Sequence, residues 1–173
     1  SGYTAVDKAE TEKSLAMTVN ASAAEALTQL AVQKNFKFVH FSTDYIFNEN
    51  SSRAYTETDT PNPLSVYGDS KLKGEVAALK NPNSLVLRTS WLYSEYGKSF
   101  TEKILAKAFK SEPITVVNDQ FSSPTYAYDL AVATLDLLSK NKTGLFNYSC
   151  EGKTNWFEFA TETIKLFNKI QKK

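Results

Sequence analysis

Cysteine, histidine and methionine occur once each in these 173 residues, at Cys150, His40 and Met17, and each scarcity removes a class of protein. One cysteine cannot close an internal disulfide, which excludes a stapled secreted scaffold. One histidine, with no cysteine or carboxylate at ligand spacing, argues against a metal centre, and His40 reads as a satisfied core histidine. Six glycines and five prolines exclude a collagen or a low-complexity tract. No apolar run approaches the roughly 20 residues that span a bilayer. The net charge of +1, from 20 Lys+Arg and 19 Asp+Glu, gives no electrostatic footprint for nucleic acid or an anionic membrane. Hydrophobic residues, in contrast, make up 42% and aromatics 13%, enough to fill a sizeable core at the length of one ordinary domain. The reading is a soluble protein of a reducing compartment, the cytoplasm. Ser1 is not an initiator residue, so the expectation is either a fragment or a cloning remnant, and nothing near the start resembles a secretion signal.

Hydrophobic periodicity alternates between helix and strand. Ala21 to Gln33 predicts a helix with Ala24, Leu27, Leu30 and Ala31 inward and Asn20 as its N-cap. Phe36 to Ser42 predicts a strand covered on both faces. Asn48 to Pro63 is polar and proline-punctuated, a long surface excursion of the kind that often carries function. Helices are expected at Ser65 to Leu79, Phe100 to Phe109, Asp129 to Leu138 and Trp156 to Ile170, the last capped by Thr154 or Asn155, and strands at Ser84 to Arg88, Ile114 to Val117 and Gly144 to Tyr148. That order implies an α/β layer fold around a parallel sheet. Trp156, Phe157 and Phe159 read as core, Cys150 as a strand-end core thiol, and Lys169 to Lys173 as a frayed, solvated end.

The stretch Tyr67-Gly-Asp-Ser-Lys71 places a phenol and an ammonium four residues apart, on one face of a helix. An ammonium so placed would lower the tyrosine pKa and make Tyr67 a usable acid or base. Ser42-Thr43-Asp44 ends the first apolar strand, and ligands of open α/β sheets sit outside the carboxyl ends of strands. Thr43 could therefore hold a substrate oxygen while Tyr67 exchanges its proton. A turn-capping Thr43, a turn-forming Asp44 and a packing Trp91 remain the plain alternatives.

Several spaced motifs together, Ser42-Thr43-Asp44-Tyr45-Ile46-Phe47, Pro63-Leu64-Ser65-Val66-Tyr67-Gly68 leading to Lys71, Arg88-Thr89-Ser90-Trp91-Leu92-Tyr93, and Asn118-Asp119-Gln120-Phe121 with Pro124-Thr125, resemble the dTDP-4-dehydrorhamnose reductase family of extended short-chain dehydrogenase/reductases. The resemblance begins at Tyr3-Thr4-Ala5-Val6 and covers effectively the whole chain. It implies a partial Rossmann-like, doubly wound parallel sheet with a small C-terminal substrate-binding subdomain: residues 1–92 as the later part of the NAD(P)-binding domain, residues 93–173 as a mixed substrate-binding region interleaved with the sheet. It implies Tyr67, Lys71 and Thr43 as the catalytic set, reducing the 4-keto group of a dTDP-sugar with NADPH or NADH. Thr43, Asp44 and Trp91 would contact the substrate, and Tyr67, Lys71, Gly2 and Tyr3 the cofactor, with a homodimer as the assembly to test and no metal. Two departures matter. The glycine-rich turn that holds cofactor pyrophosphate is missing among the six glycines, so the chain reads as a C-terminal portion. The Asp-Glu pair of related dehydratases is replaced by Asp44-Tyr45, which argues against elimination chemistry; an epimerase or a non-catalytic binding homologue stays as the rival reading.

Overall fold

The computed structural model describes residues 2–48, 53–97 and 99–171, so parts of the expected excursion at Asn48 to Pro63 and of the expected solvated end at Lys169 to Lys173 lie outside the described residues. α1 (Val6–Ala9) and α2 (Lys13–Met17) lead through a π-helical turn, Thr18–Ser22, into α3 (Ala23–Lys34). The predicted helix is thus the end of a longer run, and Asn20 does not cap it. Its side chain is buried and turned to the Tyr3 backbone, accepting from the Tyr3 N–H at 2.9 Å and donating to the Tyr3 carbonyl at 3.0 Å and to Ser70 Oγ at 2.9 Å. A buried amide takes tertiary partners because no water is there to satisfy it. Gly2 and Tyr3 form no strand. The inward stripe of α3 is Ala24, Thr28 and Ala31, while Leu27 and Leu30 are 49% and 42% exposed, contrary to expectation. Small residues, not the leucines, face inward on this helix, which packs on the next one.

The remaining elements are β1 (Val39–Thr43), a 3-10 turn at Asp44–Ile46, α4 (Val66–Leu79), β2 (Leu85–Thr89), β3 (Leu92–Tyr93), α5 (Phe100–Phe109), β4 (Phe121–Ser122), β5 (Thr125–Tyr126), α6 (Ala127–Ser139), β6 (Gly144–Asn147), β7 (Thr154–Asn155) and α7 (Trp156–Gln171). They form two compact units, residues 1–89 with 134–148, and residues 90–133 with 149–173.

In the first unit β1, β2 and β6 make a parallel sheet in that order, with Ser42 beside Arg88 and Arg88 beside Asn147. β2 lies in the middle and is buried throughout, whereas β1 lies at one side of the sheet and its Phe41 is 42% exposed, so β1 is not covered on both faces as expected. α4 starts where Ser65 accepts a hydrogen bond from the Gly68 N–H at 3.0 Å. Gly68 and Gly74 on this helix have no room for a Cβ, which would run into the backbone carbonyls of Tyr45 and Asn20 respectively. Close approach on both sides thereby locks α4 against the turn after β1 and against the π-helical turn.

In the second unit α7 starts as anticipated, with Asn155 Oδ1 accepting from the Glu158 N–H at 2.8 Å and the Thr154 hydroxyl donating to the Glu158 carboxylate at 2.8 Å. β4 pairs with β7 antiparallel and β3 with β5 in parallel. Ile114 to Val117 is no strand: Ile114 and Val116 are half-buried and Thr115 and Val117 exposed, so the period of two is present, but the structure pairs no strand with it. Trp156 and Phe159 pack inward as expected, while Phe157 is 54% exposed.

Candidate active site

Thr43 is the last residue of β1, extended and buried, and its hydroxyl accepts from the Tyr45 N–H at 3.3 Å and donates to Asp44 Oδ1 at 3.1 Å. Tyr67 lies in the first turn of α4, its ring packed among Ala9 and Ala16 and edge-on to Tyr45 at 5.5 Å. The Thr43 hydroxyl lies close enough to the Tyr67 phenol to bear on its pKa. Two of the three residues of the Tyr/Lys/Thr set are therefore neighbours.

Lys71 follows one turn along α4, and its Nζ donates to the Phe41 carbonyl of β1 at 2.5 Å. The electrostatics differ from the expectation that Lys71 makes Tyr67 acidic. Burial raises the Tyr67 pKa above its ordinary value, the Thr43 hydroxyl works against that, and the Asp44 carboxylate adds to the rise. Burial likewise lowers Lys71, with Glu75 opposing. One of the three ammonium donors goes to a backbone carbonyl, and burial favours the protonated phenol.

His40, expected to be satisfied, has a buried Nε2 without a hydrogen-bond partner among the described residues. Burial, then the nearby Lys71 charge, lowers its pKa to about 4. The folded state thus refuses a proton that the unfolded chain accepts below about pH 6.5. Between pH 6.5 and 4 the unfolded state binds more protons, so stability is lost as pH falls through that window. Urea unfolding from pH 7 to 4.5 should show this slope, at most roughly 1.4 kcal/mol per pH unit, and His40→Gln should flatten it; an identical slope in the variant would assign the acid sensitivity elsewhere.

The other candidates are placed individually. Gly2 is exposed; Tyr3 is held by Asn20 through its backbone, and its phenol donates to Glu12 at 2.7 Å and is pushed up to about 12 by burial and that carboxylate. Trp91 has a left-handed φ of 45°, and its carbonyl accepts from the Thr125 N–H at 3.2 Å. Its indole stacks on Trp156 at 3.6 Å and 14°, with Phe100 4.4 Å from Trp156. Half-buried Trp91 is therefore a packed residue on one face. Sequence reasoning missed Asn20, Glu75 and Arg88. Arg88 donates through Nε and Nη2 to both Glu75 oxygens at 2.6 to 3.2 Å, with the side chains 5% and 2% exposed. A glutamate four residues after Lys71 was the available signal.

A parallel sheet flanked by helices, with Thr43, Tyr67 and Lys71 gathered at a strand's carboxyl end, defines an α/β domain similar in structure to reductase-like Rossmann-fold enzymes. The chain belongs to the RmlD substrate binding domain family, whose model matches residues 1–173. It is 40% identical to a dTDP-4-dehydrorhamnose reductase of Sinorhizobium fredii over 97% of this chain and 60% of that protein. It superposes with a TM-score of 0.92 on a crystal structure of the Bacillus anthracis dTDP-4-dehydrorhamnose reductase in complex with NADP, at 36% identity, covering 96% of this chain and 60% of that one. A dTDP-glucose 4,6-dehydratase from Streptomyces venezuelae shares the fold, with a TM-score of 0.86 at 16% identity over 97% of this chain and 56% of that one. The chain spans about 60% of the length of the curated relatives it matches. Among the described residues no helix is long and apolar enough to cross a membrane.

Proposed function

We propose that this chain carries the acid/base centre of a cytoplasmic dTDP-4-dehydrorhamnose reductase, which turns the 4-keto group of dTDP-4-dehydro-L-rhamnose into the alcohol of dTDP-L-rhamnose. The observation that carries the reading is the gathering of Thr43, the last residue of β1, with Tyr67 in the first turn of α4 and Lys71 one turn further along, whose Nζ donates to the Phe41 carbonyl of β1. The donors present suit the nicotinamide half of a cofactor, since Lys71 and Tyr67 offer an ammonium and a phenol to ribose hydroxyls; no glycine-rich turn in this sequence suits its pyrophosphate. When bound, reduced nicotinamide supplies the hydride that adds to C4 of the sugar. Tyr67 gives its proton to the carbonyl oxygen as that oxygen gains charge, and Thr43 donates a hydrogen bond to the same atom. Reduction needs the phenol, not the phenolate, at the outset, and burial keeps Tyr67 in that form.

Asp44 and Trp91 are the substrate contacts, Gly2 and Tyr3 adjoin the cofactor, residues 1–92 act as the cofactor and catalytic part and residues 93–173 as the substrate-binding part. Tyr45 in place of a second acid supports reduction over elimination, because dehydration needs one more acid/base group. This chain by itself should bind NADPH weakly. Calorimetric titration should show no saturable binding at micromolar cofactor, and a tight complex would place a phosphate site elsewhere in these 173 residues.

A further inference from the structure

β6 ends on an amide that points away from the sheet. Gly144 and Tyr148 turn their N–H groups to β2, donating to the Ser84 and Arg88 carbonyls at 2.7 and 2.8 Å. Amides alternate sides along a strand, so the Asn147 N–H faces outward, and no strand lies beyond β6 among the described residues. Such an edge amide is ordinarily left to water. This one donates to Glu57 Oε1 at 2.7 Å, and the Asn147 side chain donates through Nδ2 to the Tyr55 carbonyl at 3.1 Å. Both acceptors belong to the excursion after β1, 90 and 92 residues earlier in the chain.

The excursion is anchored again beside Thr43 and Tyr67. Tyr55 stacks on Phe47 at 4.0 Å and 1°, and the Asn62 N–H donates to the Ile46 carbonyl at 2.8 Å. Ile46 closes the 3-10 turn that Thr43 caps, and three residues after Asn62 comes Ser65, the cap of α4, with Tyr67 in the first turn of that helix. Between the anchors Asp59 stiffens the segment, accepting from Arg53 at 2.6 and 2.8 Å and from the Thr56 N–H at 2.6 Å. Contacts and chain together lead from the edge of β6 to the turn after Thr43 and to the start of α4. We propose that Glu57 is a positioning residue for Thr43 and Tyr67: latched to the Asn147 N–H, it makes the excursion a brace that holds the turn after β1 and the first turn of α4 in place at the carboxyl end of the sheet. The proposal rests on the reductase reading, since it gives that site its support. A carboxylate that merely covered the edge amide would need no stiffened segment behind it.

The test compares Glu57→Ala and Glu57→Gln in the full-length enzyme, by hydrogen exchange at the Asn147 amide and by steady-state kinetics with dTDP-4-dehydrorhamnose and NADPH. Glu57→Ala should speed that exchange by roughly tenfold or more, because the amide is left with water as its acceptor. It should also lower kcat by roughly tenfold with little change in KM, within the 10²-fold that a 1 Å misplacement of reacting groups can cost. Glu57→Gln keeps an oxygen acceptor and should return both towards the parent. Faster exchange and a lower melting temperature with undiminished kcat would make the contact merely structural and overturn the proposal. So would an equal loss of kcat in Glu57→Gln, which would assign the effect to the charge and not to the bond. Should Glu57→Ala fail to fold, Glu57→Asp decides, since its carboxylate falls one methylene short of the Asn147 N–H: faster exchange with the parent's kcat overturns the proposal. Tyr67→Phe separates the two readings. Lost turnover there beside undiminished kcat in Glu57→Ala overturns Glu57 alone, while near-normal turnover there overturns the reductase reading and, with it, the purpose of the brace.

Discussion

Tyr67→Phe in the full-length enzyme should lower turnover with dTDP-4-dehydrorhamnose by roughly 10²–10⁴-fold, the usual contribution of general acid catalysis, with little change in KM. The substitution removes one oxygen from a ring that packs among Ala9, Ala16 and Tyr45, so the fold is left intact. On the proposed mechanism the substitution removes the proton donor to an oxygen that becomes charged only in the transition state, and such a loss falls on kcat and kcat/KM together. Thr43→Val should act in the same direction and more weakly, because on the proposed mechanism it removes one hydrogen bond to the reacting oxygen. Steady-state kinetics at saturating cofactor measure both. Near-normal turnover of Tyr67→Phe would remove the acid role and favour a binding homologue.

The placement of Tyr67, Lys71 and Thr43 was legible because its signals are local. Spacing of four puts Tyr67 and Lys71 on one helix face, Ser65 announces the start of α4, and Thr43 ends an apolar strand. α5 occupies the predicted Phe100 to Phe109 for the same reason, a clean periodicity closed by Ser99 as cap. Tertiary context decided the rest. Asn20 carries the composition of a cap and yet serves as a buried clamp on Tyr3, which no window of neighbouring residues can reveal. Phe41 has the look of a covered strand residue but lies on a strand with one described neighbour. The acidity of Tyr67 depends on how far burial outweighs its neighbours and on where Lys71 spends its donor, and both are set by the approach of α4 to β1. Sequence spacing brings groups together; packing sets the sign of their effect.

The Arg88 and Glu75 pair yields the second large effect, on stability. Arg88→Met should destabilise the protein by about 3–5 kcal/mol, since it strands a carboxylate in a site where 2% of its side chain meets solvent and takes away the cation that lies 5.2 Å above the Phe47 ring. For a chain of this size that is a fall in melting temperature of roughly 6–20 °C. Glu75→Leu alone should cost a similar amount by leaving the guanidinium unpaired, and one Arg88 nitrogen, Nη1, is already without a partner among the described residues. The two losses should not add. Two charges that must both be taken out of water gain little net energy from meeting, so Arg88→Met with Glu75→Leu, which fills the same volume with apolar atoms, should recover most of the stability that either single change removes. Thermal melts of the parent, both single variants and the double variant close the cycle. Additive losses would mean that each side chain contributes through its own packing and that the ion pair is incidental to the joint between α4 and β2.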